Sequence, residues 1–375
     1  MHNLKKYSVS LLFVCFLTGI FLFYFILPKN AYSENEKRVL ADFPKITWSS
    51  VTDGSFGKKL ETFLADHFPF RDTFVGIHAY TELLFGRNGI SGVYKGQDGY
   101  LIAEPATLDI SRAKQNVENI TQFVQSTGLP GSVMVVPSPG YILEEKLPQN
   151  HKAYWDDTLM NITMETAGDI TVLDLRNDFL KQKSDIYYRT DHHLTSFGTY
   201  QMYQIFCKEQ GLTPVEFACT ERYEGFYGTA YSKSGLWGTA PDTIEIWRPE
   251  VSGQYQVTIQ DGHSTKNYQS LYFNAHLENM DKYPVFLDGN HSLVTVKNEN
   301  CQNGKRLLLI KDSYAHCFAT FAIEHYEEIV MVDMRYFRNS VQDIIDNEKL
   351  NEILILYGAE NLATSTDISW LMPVQ

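Results

Sequence analysis

Three features predict an α/β fold built on a parallel sheet and preceded by one membrane-crossing helix. Residues 306–356 alternate short, wholly apolar segments with amphipathic ones, the pattern of strands buried on both faces and connected by helices. Residues 7–27 carry no charge and are mostly Leu, Phe, Val and Ile, long enough to cross the hydrocarbon of a bilayer. The chain has 375 residues and a net charge of −13, from 32 Lys and Arg against 45 Asp and Glu. That length allows a large core and more than one domain. That charge argues against a nucleic-acid binder, which needs a basic face to neutralise phosphates.

The apolar run is preceded by Lys5 and Lys6 and followed by Lys29, Lys37 and Arg38. The positive-inside bias favours a cytoplasmic N-terminus and an exported body. A cleaved signal peptide is the competing reading. The run is long for a signal core, and Pro28-Lys29-Asn30-Ala31 is a poor small-x-small cleavage site, so residues 1–30 read as a cytoplasmic tail and retained anchor. Residues 31–99 read as an extracytoplasmic stalk. Phe56, Leu60, Phe63 and Leu64 recur at helical spacing, Phe68-Pro69-Phe70-Arg71-Asp72 breaks that helix, and a second runs from about Arg71 to Phe85. Val93 to Ile102 reads as a hairpin turning at Gln97-Asp98-Gly99.

Residues 100–375 form the predicted body. A helix around Ser111 to Thr127 leads into a buried strand, Ser132 to Pro137, and Ile170 to Leu175 is a second. Then follow a strand at Arg306–Ile310, a helix at Tyr314–Tyr326, a strand at Glu328–Val332, a helix at Val341–Lys349 and a strand at Glu352–Leu356. Such sheets carry their sites beyond the carboxyl ends of the strands. An aromatic-rich insertion lies around 220–300. Its Tyr223, Phe226, Tyr227, Tyr231, Trp237 and Trp247 stand among glycines and polar residues, an irregular segment that either lines a glycan groove or packs on itself. Four of the five cysteines, Cys207, Cys219, Cys301 and Cys317, lie outside the anchor without C-x-x-C spacing, so neither a zinc ribbon nor a thioredoxin site is expected. Cys207 and Cys219 flank a helix end, where they either pair or stay as thiols.

Two segments carry candidate chemistry. Lys311-Asp312-Ser313-Tyr314-Ala315 sits at a strand-to-helix turn. A serine there is exposed, and the following helix aims N–H groups and a partial positive charge at an oxyanion. The same residue types also make an N-cap. Tyr188-Arg189-Thr190-Asp191-His192-His193-Leu194-Thr195 precedes an amphipathic helix ending near Lys208. In an extended loop residues two apart share a side, so Asp191 can reach and orient His193 while His192 faces away. Asp-His-His also occurs in metal-dependent phosphoesterases, but these need several further aspartates. Asp174 is the only candidate upstream, so no metal and no cofactor are expected.

Together these segments resemble the bacterial DHHW protein family and, through it, the alginate O-acetyltransferase group of SGNH-like proteins. Phe226-Tyr227-Gly228, Val332-Asp333-Met334-Arg335-Tyr336 and the Phe68–Asp72 motif add to the resemblance. It implies a circularly permuted SGNH-hydrolase-like three-layer sandwich, with Ser313 as nucleophile, His193 as base and Asp191 as orienting carboxylate. Arg335, Asn361, Tyr314 and His192 are candidates for holding the oxyanion or substrate. The chain departs from the pattern in two ways: Leu194 replaces the tryptophan of the family's name, and the glycine and asparagine oxyanion blocks of ordinary SGNH esterases are not recognisable.

The resemblance implies an extracytoplasmic, membrane-anchored O-acyltransferase acting on a cell-wall or secreted polysaccharide, a peptidoglycan-type glycan included. A membrane-bound O-acyltransferase partner would supply acetyl groups, because acetyl-CoA is cytoplasmic. The alternatives are a carbohydrate O-acyl esterase with the same triad, and a glycan-binding or assembly protein with an inactive body. The negative charge makes a neutral or amino-sugar glycan an easier partner than a strongly acidic one.

Overall fold

The computed structural model describes residues 2–372. Met1 and residues 373–375, the tips of the first and last predicted segments, lie outside the described residues. The chain separates into two compact units. One holds the chain up to Ile90 together with Ser232–Gly238; the other holds Ser91–Tyr231 and everything from Thr239 on.

In the first unit, helix α1 (His2–Ile26) contains the candidate span, Tyr7–Ile26, 20 residues with none of the span buried inside the protein. Helix α2 (Ser55–Asp66) ends before Pro69, and Phe70, at a φ of 58°, turns the chain into α3 (Arg71–Leu84). Asp66 accepts both Arg38 guanidinium bonds and the Ala41 N–H, at 2.6–3.0 Å. The Arg38 bonds hold its carboxyl down to about 2. Gly76 and Ala79 form a buried small-residue face of α3, against which Gly235 and Trp237 pack.

In the second unit, Val93–Lys95 (β1) and Leu101–Ala103 (β2) form the predicted hairpin. Helix α4 (Ile110–Thr127) starts at an Asp109 cap, whose carboxylate accepts the Arg112 N–H, and ends on Gly128 in the left-handed region. It leads into β3 (Gly131–Val136), followed by α5 (Asp156–Thr166), β4 (Thr171–Asp174) and α6 (Ser196–Glu209). The segment expected to be irregular is instead a twisted antiparallel ribbon of β5 (Phe217–Phe226) and β6 (Asp242–Pro249), with two register shifts. Its aromatics pack on neighbouring elements: Phe226 is fully buried against Tyr188, and Trp247 lies against Tyr200 and Phe197 of α6 with its ring tilted to theirs. Burial alternates along Phe217–Phe226, but the inward positions include Glu221 and Gly225 as well as Phe217 and Tyr223, so no apolar alternation marks the strand in the sequence.

The remaining elements are β7 (Tyr255–Asp261), β8 (Ser264–Tyr268), β9 (Leu293–Asn298), β10 (Arg306–Lys311), α7 (Ala315–Ala322), β11 (Glu328–Val332), α8 (Val341–Glu348), β12 (Glu352–Gly358) and α9 (Ala359–Thr364). They complete an eight-stranded sheet in the order β8-β7-β9-β11-β10-β12-β3-β4. The five strands from β11 to β4 are parallel, as predicted. The other three form an antiparallel extension, in which β7 and β9 bury one face and β8 is largely exposed, so none has the continuous apolar run of the parallel strands. Leu307 and Leu309 of β10 enter one core, under α6 and α7; Leu308 and Ile310 enter the other, under α4, α5, α8 and α9. This is the three-layer α/β sandwich expected from the sequence.

Cys207 and Cys219 do not pair. Cys207 is buried in α6 beside His325, while Cys219 lies on β5 with its thiol at the Glu221 carbonyl. Burial pushes the Cys207 thiol up to about 11, which keeps it protonated and inert.

Candidate active site

The central strand β10 ends at Lys311, and Asp312-Ser313-Tyr314 makes the tight turn into α7. Asp312 holds this turn. Its fully buried carboxylate accepts the Tyr314 N–H (3.0 Å), the Gly358 N–H (2.8 Å) and the Asn361 amide (2.8 Å). Of the last two donors, Gly358 ends β12 and Asn361 lies in α9 just after it, so the turn is clamped across neighbouring strand ends. Burial raises the Asp312 carboxyl above its ordinary range, against the pull of these three donors. Gly358 must be glycine, since a Cβ would stand 2.5 Å from the Tyr314 ring.

The Asp191 loop is closed by a bridge between Tyr187 and Leu194, by Tyr188 N–H on His193 C=O, and by Thr195 N–H on Ile186 C=O. Thr195 then caps α6 by accepting the Gly198 N–H at 2.9 Å. The loop is therefore bent rather than extended, and His192 does not face away. Its ring lies 4.0 Å from that of His193, and its Nδ1 meets the Thr229 hydroxyl at 2.8 Å. Asp242 holds the approach to the loop, accepting the Arg189 N–H, the Thr190 N–H and the Thr190 hydroxyl at 2.6–2.9 Å.

These two segments, 120 positions apart, meet in one hydrogen-bonded chain. Asp191 Oδ1 lies 2.5 Å from His193 Nδ1, and His193 Nε2 lies 2.7 Å from Ser313 Oγ. Asp191 Oδ1 also accepts the His193 N–H (2.9 Å), while Oδ2 accepts the Thr229 N–H (2.6 Å) and hydroxyl (3.0 Å). A carboxylate on Nδ1 selects the tautomer with the proton there, leaving Nε2 as acceptor for the serine hydroxyl. The Tyr283 ring stacks flat on His193 at 3.8 Å and donates to Ser313 C=O at 3.3 Å. The arrangement can take a proton from Ser313, which is what nucleophilic acyl chemistry requires.

The other candidates are placed as follows. Tyr314 donates to His192 C=O (2.8 Å) and turns its ring edge toward His193. Asn361 gives its amide to Asp312. Arg335 follows β11 and donates to Asp333 (2.6 and 2.8 Å) and to Asn290 (3.0 Å). Behind the turn Lys311 is fully buried, with Nζ 2.8 Å from His316 Nε2 and 2.9 Å from Asp333. Burial lowers both Lys311 and His316, so the imidazole is neutral. Leu194 packs into the core next to the loop. The ligand atoms of Asp191, His192 and His193 lie within 4.8 Å of one another, a spacing compatible with a metal shell. The Asp191 oxygens already accept hydrogen bonds from Thr229 and His193, so a cation there would have to displace protein donors.

Sequence reasoning missed Tyr283, Thr229 and Asp242, which touch the site from distant positions without a motif of their own. Gly228 was noted only within Phe226-Tyr227-Gly228. Its role is spatial: a Cβ there would stand 2.1 Å from Asp191 Cβ.

Residues 160–332 match the DHHW protein family. The fold is similar to that of a DHHW family protein from Eubacterium siraeum, with a TM-score of 0.63 and 22% identity over 76% of this chain and 97% of that one. It is also similar to Bacillus cereus PatB1, solved with a sulfonyl adduct, with a TM-score of 0.62 and 18% identity over 73% and 97%. The O-acetyltransferase domain of Pseudomonas putida AlgJ aligns with a TM-score of 0.48 and 15% identity over 74% and 94%. No curated protein matches the chain. The resemblance to the DHHW protein family read from the short motifs is thus shown, by the family match over residues 160–332 and by the shared fold.

Proposed function

We propose that this chain is an O-acyltransferase, in its simplest form an O-acetyltransferase, that modifies a cell-wall or secreted polysaccharide from the outer side of a membrane. The observation that carries this reading is the hydrogen-bonded chain from Asp191 through His193 to Ser313 at the end of the central strand. His193 Nε2 takes the Ser313 proton as Oγ attacks the acyl carbonyl. The Ser313 N–H and the N-terminus of α7 meet the tetrahedral oxyanion. His193 then gives the proton to the leaving group. A sugar hydroxyl, deprotonated by the same nitrogen, takes the acyl group and restores Ser313. Asp191 orients the imidazole throughout. Asn361 acts through Asp312 on the turn, Tyr314 walls the site, and His192 and Arg335 are donors for substrate. Residues 1–30 serve as tail and anchor, 31–99 as stalk and 100–375 as the catalytic body, with a membrane-bound O-acyltransferase supplying acetyl groups.

The test uses the full chain in detergent with an activated acetyl ester and, separately, a sulfonyl fluoride, a reagent that leaves a sulfonyl adduct on a reactive serine; PatB1 was solved with a sulfonyl adduct. A burst of acetylation and a covalent sulfonyl mark on Ser313 are expected, both lost in Ser313→Ala. A burst unchanged in that variant would sink the assignment. Added oligosaccharide should divert the acetyl group from water to sugar; undiminished acetate release would make the protein an esterase.

A further inference from the structure

Ser232–Gly238 belongs by its contacts to the first unit, while the chain on both sides of it belongs to the second. Within the first unit this segment is fixed to α3. Gly235, at a φ of 70°, comes close enough that a Cβ there would stand 3.0 Å from Val75 Cγ1. The Trp237 ring lies against Gly76, where a Cβ would stand 3.0 Å from its Cδ1. Trp237 Nε1 donates to Asp72 C=O at 2.8 Å, and the Gly238 N–H donates to the Tyr80 hydroxyl at 3.0 Å. Leu236 is fully buried.

The residues flanking this segment on either side hold the catalytic loop. Three positions before Ser232, Thr229 gives its N–H and hydroxyl to Asp191 Oδ2, at 2.6 and 3.0 Å. The Gly228 N–H donates to the Thr190 hydroxyl at 3.0 Å, and the Tyr231 N–H to Thr190 C=O at 3.1 Å. Four positions after Gly238, Asp242 accepts from the Arg189 N–H and from the Thr190 N–H and hydroxyl. A single short helix, Thr229–Ser234, joins Thr229 to the segment without a flexible linker. Residues 228–242 therefore form a staple, with both feet on the loop that bears Asp191 and His193 and its crown on α3.

We propose that α3 is a positioning element for the catalytic loop. It holds the 232–238 segment, the segment fixes Thr229 and Asp242, and these fix Asp191. The triad is then fully assembled only while the segment is docked on α3, so the stalk takes part in catalysis without touching substrate. The proposal rests on the acyl transfer assigned to Ser313. A catalytic group misplaced by about 1 Å loses roughly a hundredfold in rate, and a loosened one, which still visits the right place, roughly tenfold.

The test compares the full-length wild type in detergent with three variants. Trp237→Ala empties the place beside Gly76. Gly76→Leu drives the Trp237 ring off α3 while keeping a good helix former in the helix. Gly57→Leu on α2 is the control, since nothing lies within 4 Å of a Cβ there. Two quantities are measured: kcat and KM for an activated acetyl ester, and deuterium exchange, by mass, at the amides of 228–231. Trp237→Ala and Gly76→Leu should each lower kcat roughly tenfold with KM unchanged and quicken exchange at 228–231; Gly57→Leu should match the wild type in both. If Gly76→Leu does not fold, Trp237→Ala, at a half-exposed position, decides alone. A kcat equal to that of Gly57→Leu overturns the proposal. So does a lowered kcat with exchange at 228–231 unchanged, which marks a defect elsewhere. A wild type that does not turn over the ester sinks the acyl-transfer reading instead; exchange then judges the staple alone, and unchanged exchange overturns it.

Discussion

Gly228→Ala tests whether the placement of Asp191, and not merely its presence, sets activity. The added Cβ would stand 2.1 Å from Asp191 Cβ, 2.4 Å from Oδ2 and 2.6 Å from Cα. Carbon atoms rest about 3.5 Å apart, so Asp191 must retreat by about 1.4 Å, away from the Thr229 donors. The imidazole it orients moves with it or loses its partner. A displacement of about 1 Å in a catalytic group costs roughly a hundredfold in rate, equivalent to about 2.7 kcal/mol of barrier. The assay is kcat/KM for an activated acetyl ester, with circular dichroism and a melting curve to confirm folding. Gly57→Ala is the control, because nothing lies within 4 Å of its Cβ. A folded Gly228→Ala protein as active as that control would refute the reasoning.

Three further outcomes follow from single contacts. Asn361→Ala removes one of three donors to the buried Asp312 and should cost about 2 kcal/mol of stability, with slower acylation, measured by urea unfolding and burst rate. Leu194→Trp restores the tryptophan of the family's name but forces a larger ring into a site that is only 1% exposed; overpacking of about 1–3 kcal/mol is expected, read as a lowered Tm. Burial pushes the Asp156 carboxyl up to about 6 from an ordinary 3.8, so the folded protein holds a proton that the unfolded chain has lost. Its contribution to stability is therefore full at low pH, falls between about pH 4 and 6, and is gone above, a loss of roughly 3 kcal/mol. Urea unfolding of Asp156→Asn across that range should show the wild type losing ground to the variant as pH rises; parallel curves would contradict it.

The parallel strands were legible because they are buried on both faces. Four consecutive apolar residues in β10 serve two cores at once, and nothing polar interrupts them. The helices were legible from their periodicity and their caps. The antiparallel extension β7-β8-β9 and the ribbon β5-β6 were not, since these strands face solvent on at least one side and their apolar positions are diluted by polar neighbours. The cysteines show the same limit. Closeness in sequence placed Cys207 and Cys219 near a common helix end, but burial of one inside α6 and the position of the other on β5 keep them apart.

Residue chemistry by itself determined what kind of site this protein can have: a serine at a strand-to-helix turn, and an Asp-x-His two residues apart, which the local bend brings together through the Asp191 carboxylate. It also determined the uncharged N-terminal run. Only tertiary structure decided that the two segments meet, because the sheet order sets β10 in the middle and carries the Asp191 loop to its carboxyl end. It also decided that Gly228, Thr229 and Tyr283 shape the site, since these act by space and by donors arriving from distant elements. A hydrogen bond of 2.7 Å between residues 120 positions apart is specified by the packing of whole layers, and no local pattern in the chain encodes it.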